Sequence, residues 1–278
     1  MKQTFAVVIA LFLAPLMHAQ TDIKISAPVT TDLAGKTGQD ALVSVIRVIV
    51  PTANSAGTGF LHKSGVVITA AHVIGKATAD KIYLVLPSNI VVMVDSTVSD
   101  EDIDLAILRP KTEIKVKALP LSAKASLPVG SQVSTWGFPE GYSGLNPLLT
   151  VGYVSGLETV KISPTKSVNR FVVNAAFNRG NSGGPVLDLE TGAVIGVVSS
   201  KHAPIPPEIM GALEALGNNP SGVQYTGRRQ DGTEVSFSEG QVVASVLQYL
   251  RAQTQLVIGY SVTTEDLFDF LKKNKIEP

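Results

Sequence analysis

Three histidines remain once an N-terminal export signal is set aside, His62, His72 and His202, so the search for a general base is short. His72 ends the segment Thr69-Ala70-Ala71-His72, directly after the apolar run 66–68, where a strand end can hold an imidazole rigidly. Acyl transfer by a hydroxyl nucleophile needs a base fixed in this way. Asp104 opens Asp104-Leu105-Ala106-Ile107-Leu108, a carboxylate at the mouth of an apolar strand. Burial there is costly unless the carboxylate is hydrogen-bonded, and a histidine Nδ1–H is a partner that would satisfy it. Asp100 and Asp102 read as turn residues and solvated charges. Ser182 lies in Asn178-Arg179-Gly180-Asn181-Ser182-Gly183-Gly184-Pro185. Closely spaced glycines let the N–H groups of Gly180 and Ser182 turn inward around one point, as an oxyanion hole requires. Alone, His72 reads as a strand-to-turn histidine and Ser182 as part of a Gly-rich loop. Together the order His, Asp, Ser, each at the edge of a strand run, points to nucleophilic catalysis.

Short β-branched runs must position these side chains. Segments 41–50, 57–62, 66–69, 81–86, 90–98 and 105–108 are separated by Gly, Pro, Ser or Asp and would make one six-stranded barrel. A connector at 110–128 leads to 132–136, 149–155, 170–175, 185–189 and 193–199, most of a second barrel. No βαβα alternation is present, which argues against a doubly wound sheet. Ser238 with Glu239 and Gln241 reads as a capping box, and Val242, Val243, Val246, Leu247 and Leu250 follow at helical spacing. A helix at 239–252 is expected to pack on the second barrel. Thr263 with Asp266 opens a closing amphipathic helix carrying Leu267, Phe268, Phe270 and Leu271.

Composition narrows the function classes. Lys plus Arg balances Asp plus Glu at 23 each with no basic run, which leaves no electrostatic footprint for nucleic acid or an anionic membrane. Cysteine is absent, so disulfides and thiolate chemistry are excluded, and no metal or organic cofactor is expected. Lys2, the apolar run 5–17 and Ala19 form an export signal, with the mature chain expected to start near Gln20 and residues 20–40 expected as a loosely held arm. That run is shorter than the ~20 residues a spanning helix needs, so no stable membrane span is expected. Export without cysteine suits the periplasm or secretion from a bacterial envelope.

The three motifs around His72, Asp104 and Ser182 resemble the signatures of trypsin-like serine proteases, and the bacterial HtrA (Deg) branch most of all. Gly57-Thr58-Gly59-Phe60, Trp136-Gly137-Phe138-Pro139, Val151-Gly152-Tyr153-Val154-Ser155-Gly156 and Ala193-Val194-Ile195-Gly196-Val197-Val198 match that branch too. The resemblance implies an all-β fold of two six-stranded antiparallel barrels with C-terminal helices and a protease domain over 41–252; a PDZ domain, usual after the protease domain in that branch, is not expected here. It makes His72 the base, Asp104 its orienter, Ser182 the nucleophile, and the amides of Gly180 and Ser182 the oxyanion hole. Ser199, Ser200 and Lys201 would pair with substrate backbone as an added strand. Ala176, six before the nucleophile, would floor the primary pocket with Phe177 beside it and Arg179 at its rim. The substrates implied are proteins or peptides, unfolded envelope proteins among them; the oligomeric state is left open.

Two other functions compete. Gly180-Asn181-Ser182-Gly183-Gly184 also fits the nucleophile elbow of α/β-hydrolases, but an elbow leads into a helix and needs acid and histidine downstream, whereas 185–189 reads as a strand. A catalytically latent binding module or chaperone on the same fold keeps all three residues and is separated only by geometry. Residues 202–233 stand as an insertion with a short amphipathic helix around Ile209, Met210, Leu213 and Leu216, either a lid over the site or extra core.

Overall fold

Period-two alternation in the first half of the chain serves two cores at once. The structure, a computed structural model, describes residues 38–278 apart from 88, 124–126, 165, 202–206, 229–231 and 254–257. The export signal, nearly all of the arm and His202 therefore lie outside the described residues. Strands β1 (Val45–Val50), β2 (Ser55–Leu61), β3 (Val67–Thr69), β4 (Tyr83–Val85), β5 (Val91–Asp100) and β6 (Leu105–Pro110) close an antiparallel barrel in the order β1-β2-β3-β6-β5-β4. Along β6, Ala106 and Leu108 join the barrel interior with Ile46, Val48 and Leu84, while Leu105 and Ile107 point outward into a second cluster. Both faces of the strand are buried, which is why it reads as an unbroken apolar run.

Residues 41–44, expected as strand, are instead the end of helix α1 (Gly38–Ser44), and β1 starts at Val45. Ala41 and Val45 both belong to the cluster outside the barrel, so tertiary burial and not local propensity sets the boundary.

The second barrel closes in the order β10-β11-β14-β9-β8-β7, from β7 (Gln132–Gly137), β8 (Leu148–Ser163), β9 (Lys166–Val173), β10 (Pro185–Asp188), β11 (Val194–Lys201) and β14 (Gly259–Thr263). Its sixth strand, β14, pairs with both β11 and β9 and comes from beyond residue 252, where the protease domain was expected to end. β8 and β9 run well past the expected 149–155 and 170–175 as a long hairpin whose tip lies near residue 165. The outer cluster of the first barrel is shared with Trp136, Phe138, Val168, Leu187, Val197 and Val262 of the second and with Leu267, Phe270 and Leu271 of the C-terminal helix α5 (Thr264–Lys273). Each such side chain contributes about 1.5–3 kcal/mol on burial, so this shared core fixes one barrel against the other. Two closed antiparallel barrels, with strand β10 directly after the Ser182 loop, remove the α/β-hydrolase reading.

Residues 203–254 form a compact unit of their own. Helix α3 (Pro207–Asn218), hairpin β12 (Gln224–Arg228) and β13 (Glu234–Ser238), and helix α4 (Glu239–Gln253) make it up. The capping box is present: Gln241 N–H donates to Ser238 Oγ at 3.3 Å and Ser238 N–H to Gln241 Oε1 at 2.9 Å. Within this unit Leu213 and Ala244 are buried. Among the described residues no helix is long and apolar enough to cross a membrane.

His62, at the end of β2, has a structural role. It is 1% exposed, Ser64 N–H donates to its Nδ1 at 3.3 Å, and its Nε2 is buried without a partner. Burial, helped by the charge of Lys63, pulls its pKa down from 6.5 to about 4. The unfolded chain then binds a proton that the folded chain refuses, so the stability present above pH 6.5 is lost as pH falls from 6.5 towards 4. Melting temperatures measured across that window are expected to fall for the native protein and to fall less for His62→Gln; an equal slope in both would contradict the assignment.

Candidate active site

Register brings the histidine to the aspartate. β3 and β6 pair antiparallel with Thr69 opposite Ala106, and continuing that register two residues sets Ala71 opposite Asp104. The chain obeys it: Ala71 N–H donates to Asp104 O at 3.2 Å and His72 N–H to Asp104 Oδ1 at 3.0 Å. His72 sits in the one-turn helix α2 (Ala71–Ile74) that follows β3. Its Nδ1 lies 2.9 Å from both Oδ1 and Oδ2 of Asp104. A carboxylate only accepts, so Nδ1 carries the proton and Nε2 keeps the lone pair a base needs.

Asp104 is built into this position from several sides. Its backbone is left-handed, φ 56°, a conformation aspartate tolerates better than most residues. Its side chain is 16% exposed, and Ser199 Oγ–H donates to Oδ2 at 2.5 Å. Burial alone would push the carboxyl up; the hydrogen bonds from His72 and Ser199 outweigh it and hold the group below the usual carboxylate range. His72 is half-exposed and borders a cleft of about 370 Å³ lined by Ala71, His72, Gly75, Lys76, Glu101 and Asp104.

The Ser182 loop comes from the second barrel, between β9 and β10. Gly180 (φ 93°) and Gly183 (φ 83°) are both left-handed, and a Cβ on Gly183 would meet Thr58 O and Thr69 Oγ1 at 2.2 Å. Only glycine fits there. Arg179 O accepts from Glu140 N–H at 2.7 Å, and because the peptide is planar and trans this turns the Gly180 N–H the other way. Neither the Gly180 nor the Ser182 N–H has a partner among the described residues, so two amide donors stand unused beside the hydroxyl. Ser182 Oγ–H donates to Ser199 O at 3.3 Å and not to His72.

The remaining expected residues divide. Phe177 is 3% exposed and belongs to the second-barrel core with Val173 and Val198, its ring so close to Gly259 that a Cβ there would meet it at 2.2 Å. Ala176 is half-buried, its carbonyl accepting from Asn181 Nδ2 at 3.3 Å. Arg179 is exposed and paired with Glu140, Nε to Oε2 3.3 Å. Ser199 to Lys201 end β11, where β14 covers one edge while pairing with β10 stops at Val197.

Sequence reasoning missed the residues that join the halves of this site. Thr58 N–H donates to Ser182 O at 2.8 Å, Thr58 Oγ1–H to Gly180 O at 2.6 Å, and Phe138 N–H to Thr58 Oγ1 at 3.1 Å. Arg47 Nη2 donates to Tyr142 O and Gly144 O at 3.1 Å and lies over the Phe138 ring. Thr58 was visible only as part of a matching motif, and nothing local marks Arg47. Thr58→Val leaves Gly180 O and Phe138 N–H unpaired and is expected to cost about 1–3 kcal/mol in denaturant unfolding. Amide exchange at residues 180–183 should also quicken. An unchanged midpoint with unchanged exchange would show the hydroxyl to be dispensable.

The family model described as trypsin-like peptidase domain matches residues 57–197. Protease Do-like 1 of the Arabidopsis thaliana chloroplast is 32% identical over 163 residues, 56% of this chain and 35% of that protein. A probable periplasmic DegP-like serine endoprotease of Rickettsia prowazekii is 28% identical over 227 residues, 81% of this chain and 42% of the relative. The chain thus spans well under half the length of these curated relatives. Among solved structures, the Rv3671c protease in its inactive form superposes with a TM-score of 0.57 at 18% identity, covering 90% of this chain and 98% of that one. The HtrA-type protease AlgW with a Ser-to-Ala change and a bound tripeptide gives 0.56 at 18% identity, covering 84% and 60%. At that identity both show the fold alone. The chain belongs to the trypsin-like peptidase family.

Proposed function

We propose that this protein is a serine endopeptidase that cleaves peptide bonds through an acyl-enzyme, with His72 as base, Asp104 as its orienter and Ser182 as nucleophile. The observation that carries the reading is the His72–Asp104 pair, held at 2.9 Å beside a nucleophile loop with two unused amide donors. A substrate strand lies along the open edge of Ser199–Lys201 and donates its P1 N–H to Ser199 O. Ser182 Oγ–H now loses its resting acceptor and turns to His72 Nε2. The hydroxyl gives its proton to the imidazole as its oxygen attacks the carbonyl carbon, and the N–H groups of Gly180 and Ser182 receive the oxyanion. Asp104, kept ionised, stabilises the imidazolium, which then protonates the leaving amine. Water repeats the sequence on the acyl-enzyme with the same base.

The resting bond from Ser182 to Ser199 is also the observation that favours a resting form roused by substrate. On this reading the latent state lies on the same reaction path as the active one. Residues 1–19 direct the protein to the periplasm or outside the cell, and its substrates there are proteins or peptides, unfolded envelope proteins among them.

Ser182→Ala and His72→Ala are expected to lower kcat by a factor on the order of 10⁴ to 10⁶ with the fold intact, and Asp104→Asn to be severe because it favours the wrong tautomer. Full turnover by folded Ser182→Ala would sink the assignment. The primary pocket, with Ala176 at its floor, the Phe177 ring packed behind it and no carboxylate, favours a small or medium apolar P1 such as Ala, Val, Leu or Met. A peptide-library digest with strong Arg or Lys preference at P1 would contradict this.

A further inference from the structure

The turn that delivers Asp104 packs four acids into five positions, Asp100, Glu101, Asp102 and Asp104. Asp100 organises it: its Oδ1 accepts from Asp102 N–H at 3.1 Å and Ile103 N–H at 3.4 Å, and buried Ile103 anchors the turn in the core shared by the two barrels. Asp100 is shielded, its side chain 15% exposed, so its charge needs a partner. That partner comes from the other barrel. Lys166, the first residue of β9 at the tip of the β8–β9 hairpin, places Nζ 3.1 and 3.2 Å from the two Asp100 oxygens and 2.9 Å from Asp102 Oδ2. Lys273 of α5 reaches Asp100 only at 3.8 Å, from a side chain 75% exposed.

We propose that Lys166 is a positioning residue for the acid–base pair: it grips the 100–104 turn from the second barrel and so holds Asp104, and through it His72, in place relative to Ser182. The proposal rests on the reading of His72 and Asp104 as a working pair. Ion pairs between partly exposed side chains such as these add little to global stability. Their worth is geometric. Asp104 holds a left-handed backbone directly after this turn, and a shift of the turn lengthens the Nδ1 contact that sets the imidazole. Burial would push the Asp100 carboxyl up, yet the contacts with Lys166 and the turn N–H groups keep it below its ordinary value, in agreement with a charged, gripped carboxylate.

The test compares Lys166→Met and Lys166→Arg in the full chain, by steady-state cleavage of a peptide substrate and by the downfield proton NMR signal of His72 Nδ1–H. Lys166→Met is expected to lower kcat roughly 10- to 100-fold. KM should stay within about twofold. The Nδ1–H signal should move or broaden, and the melting temperature should barely change. Lys166→Arg should restore both kcat and the signal. Native kcat and an unmoved signal in Lys166→Met would overturn the proposal, as would equal losses in both variants or a loss that tracks the unfolded fraction. If the native protein cleaves no peptide, the hydrolase reading fails separately and the signal alone decides: a change in Lys166→Met that Lys166→Arg reverses upholds the grip, and no change refutes it.

Discussion

Asp104 and His72 stand on one barrel and Ser182 on the other, so everything at this site depends on how firmly the barrels are locked. A bulk apolar core does most of that work: Phe60, Ile68 and Leu105 from the first barrel meet Trp136, Leu187, Val197 and α5 residues from the second. Burial is strong but undirected. Direction comes from a few polar ties across the same seam, Thr58 to the Ser182 loop, Arg47 to the 142–144 loop and Lys166 to the Asp100 turn. Each binds a segment that carries or borders part of the site.

Electrostatics follow from the same construction. A carboxylate as shielded as Asp104 survives as an ion only with its lone pairs occupied, and the fold supplies the His72 ring, the His72 amide and the Ser199 hydroxyl. Ser199 thereby links the acid to the strand edge: its hydroxyl holds Asp104 while its carbonyl holds the Ser182 hydroxyl. On the proposed function, a substrate strand that takes the carbonyl would change the partner of the Ser182 hydroxyl without disturbing Asp104. Preorganised amides on Gly180 and Ser182 need no such rearrangement, because the Arg179 peptide is already fixed by Glu140.

What could be read from sequence was what leaves a local trace. His72 and Asp104 sit where apolar runs begin or end, and the Ser182 loop needs its glycines for backbone reasons that composition reveals. The barrel strands were legible in number because β-branched runs alternate with turn residues, although the extent of the β8–β9 hairpin was not, since 156–163 is largely exposed and pairs with 166–172 across the hairpin. The ends of that hairpin, the Thr58 hub and the Ser199 hydroxyl depend on partners 64 to 122 residues away, which closure of the barrels brings together and no local pattern announces. The start of β1 was misread for the opposite reason: residues 41–44 carry a strand-like apolar pattern, but they fold as the end of α1.

The central claim is that Ser182 is an activated nucleophile whose reactivity is conferred by His72 across the barrel seam. A fluorophosphonate probe, with the adduct mapped by peptide mass spectrometry in the native protein and in His72→Ala, tests it most directly. The account predicts a single adduct on Ser182 in the native protein and its loss in the folded variant. A folded native protein that takes up no probe, or a Ser182 adduct that forms equally fast without His72, would contradict it.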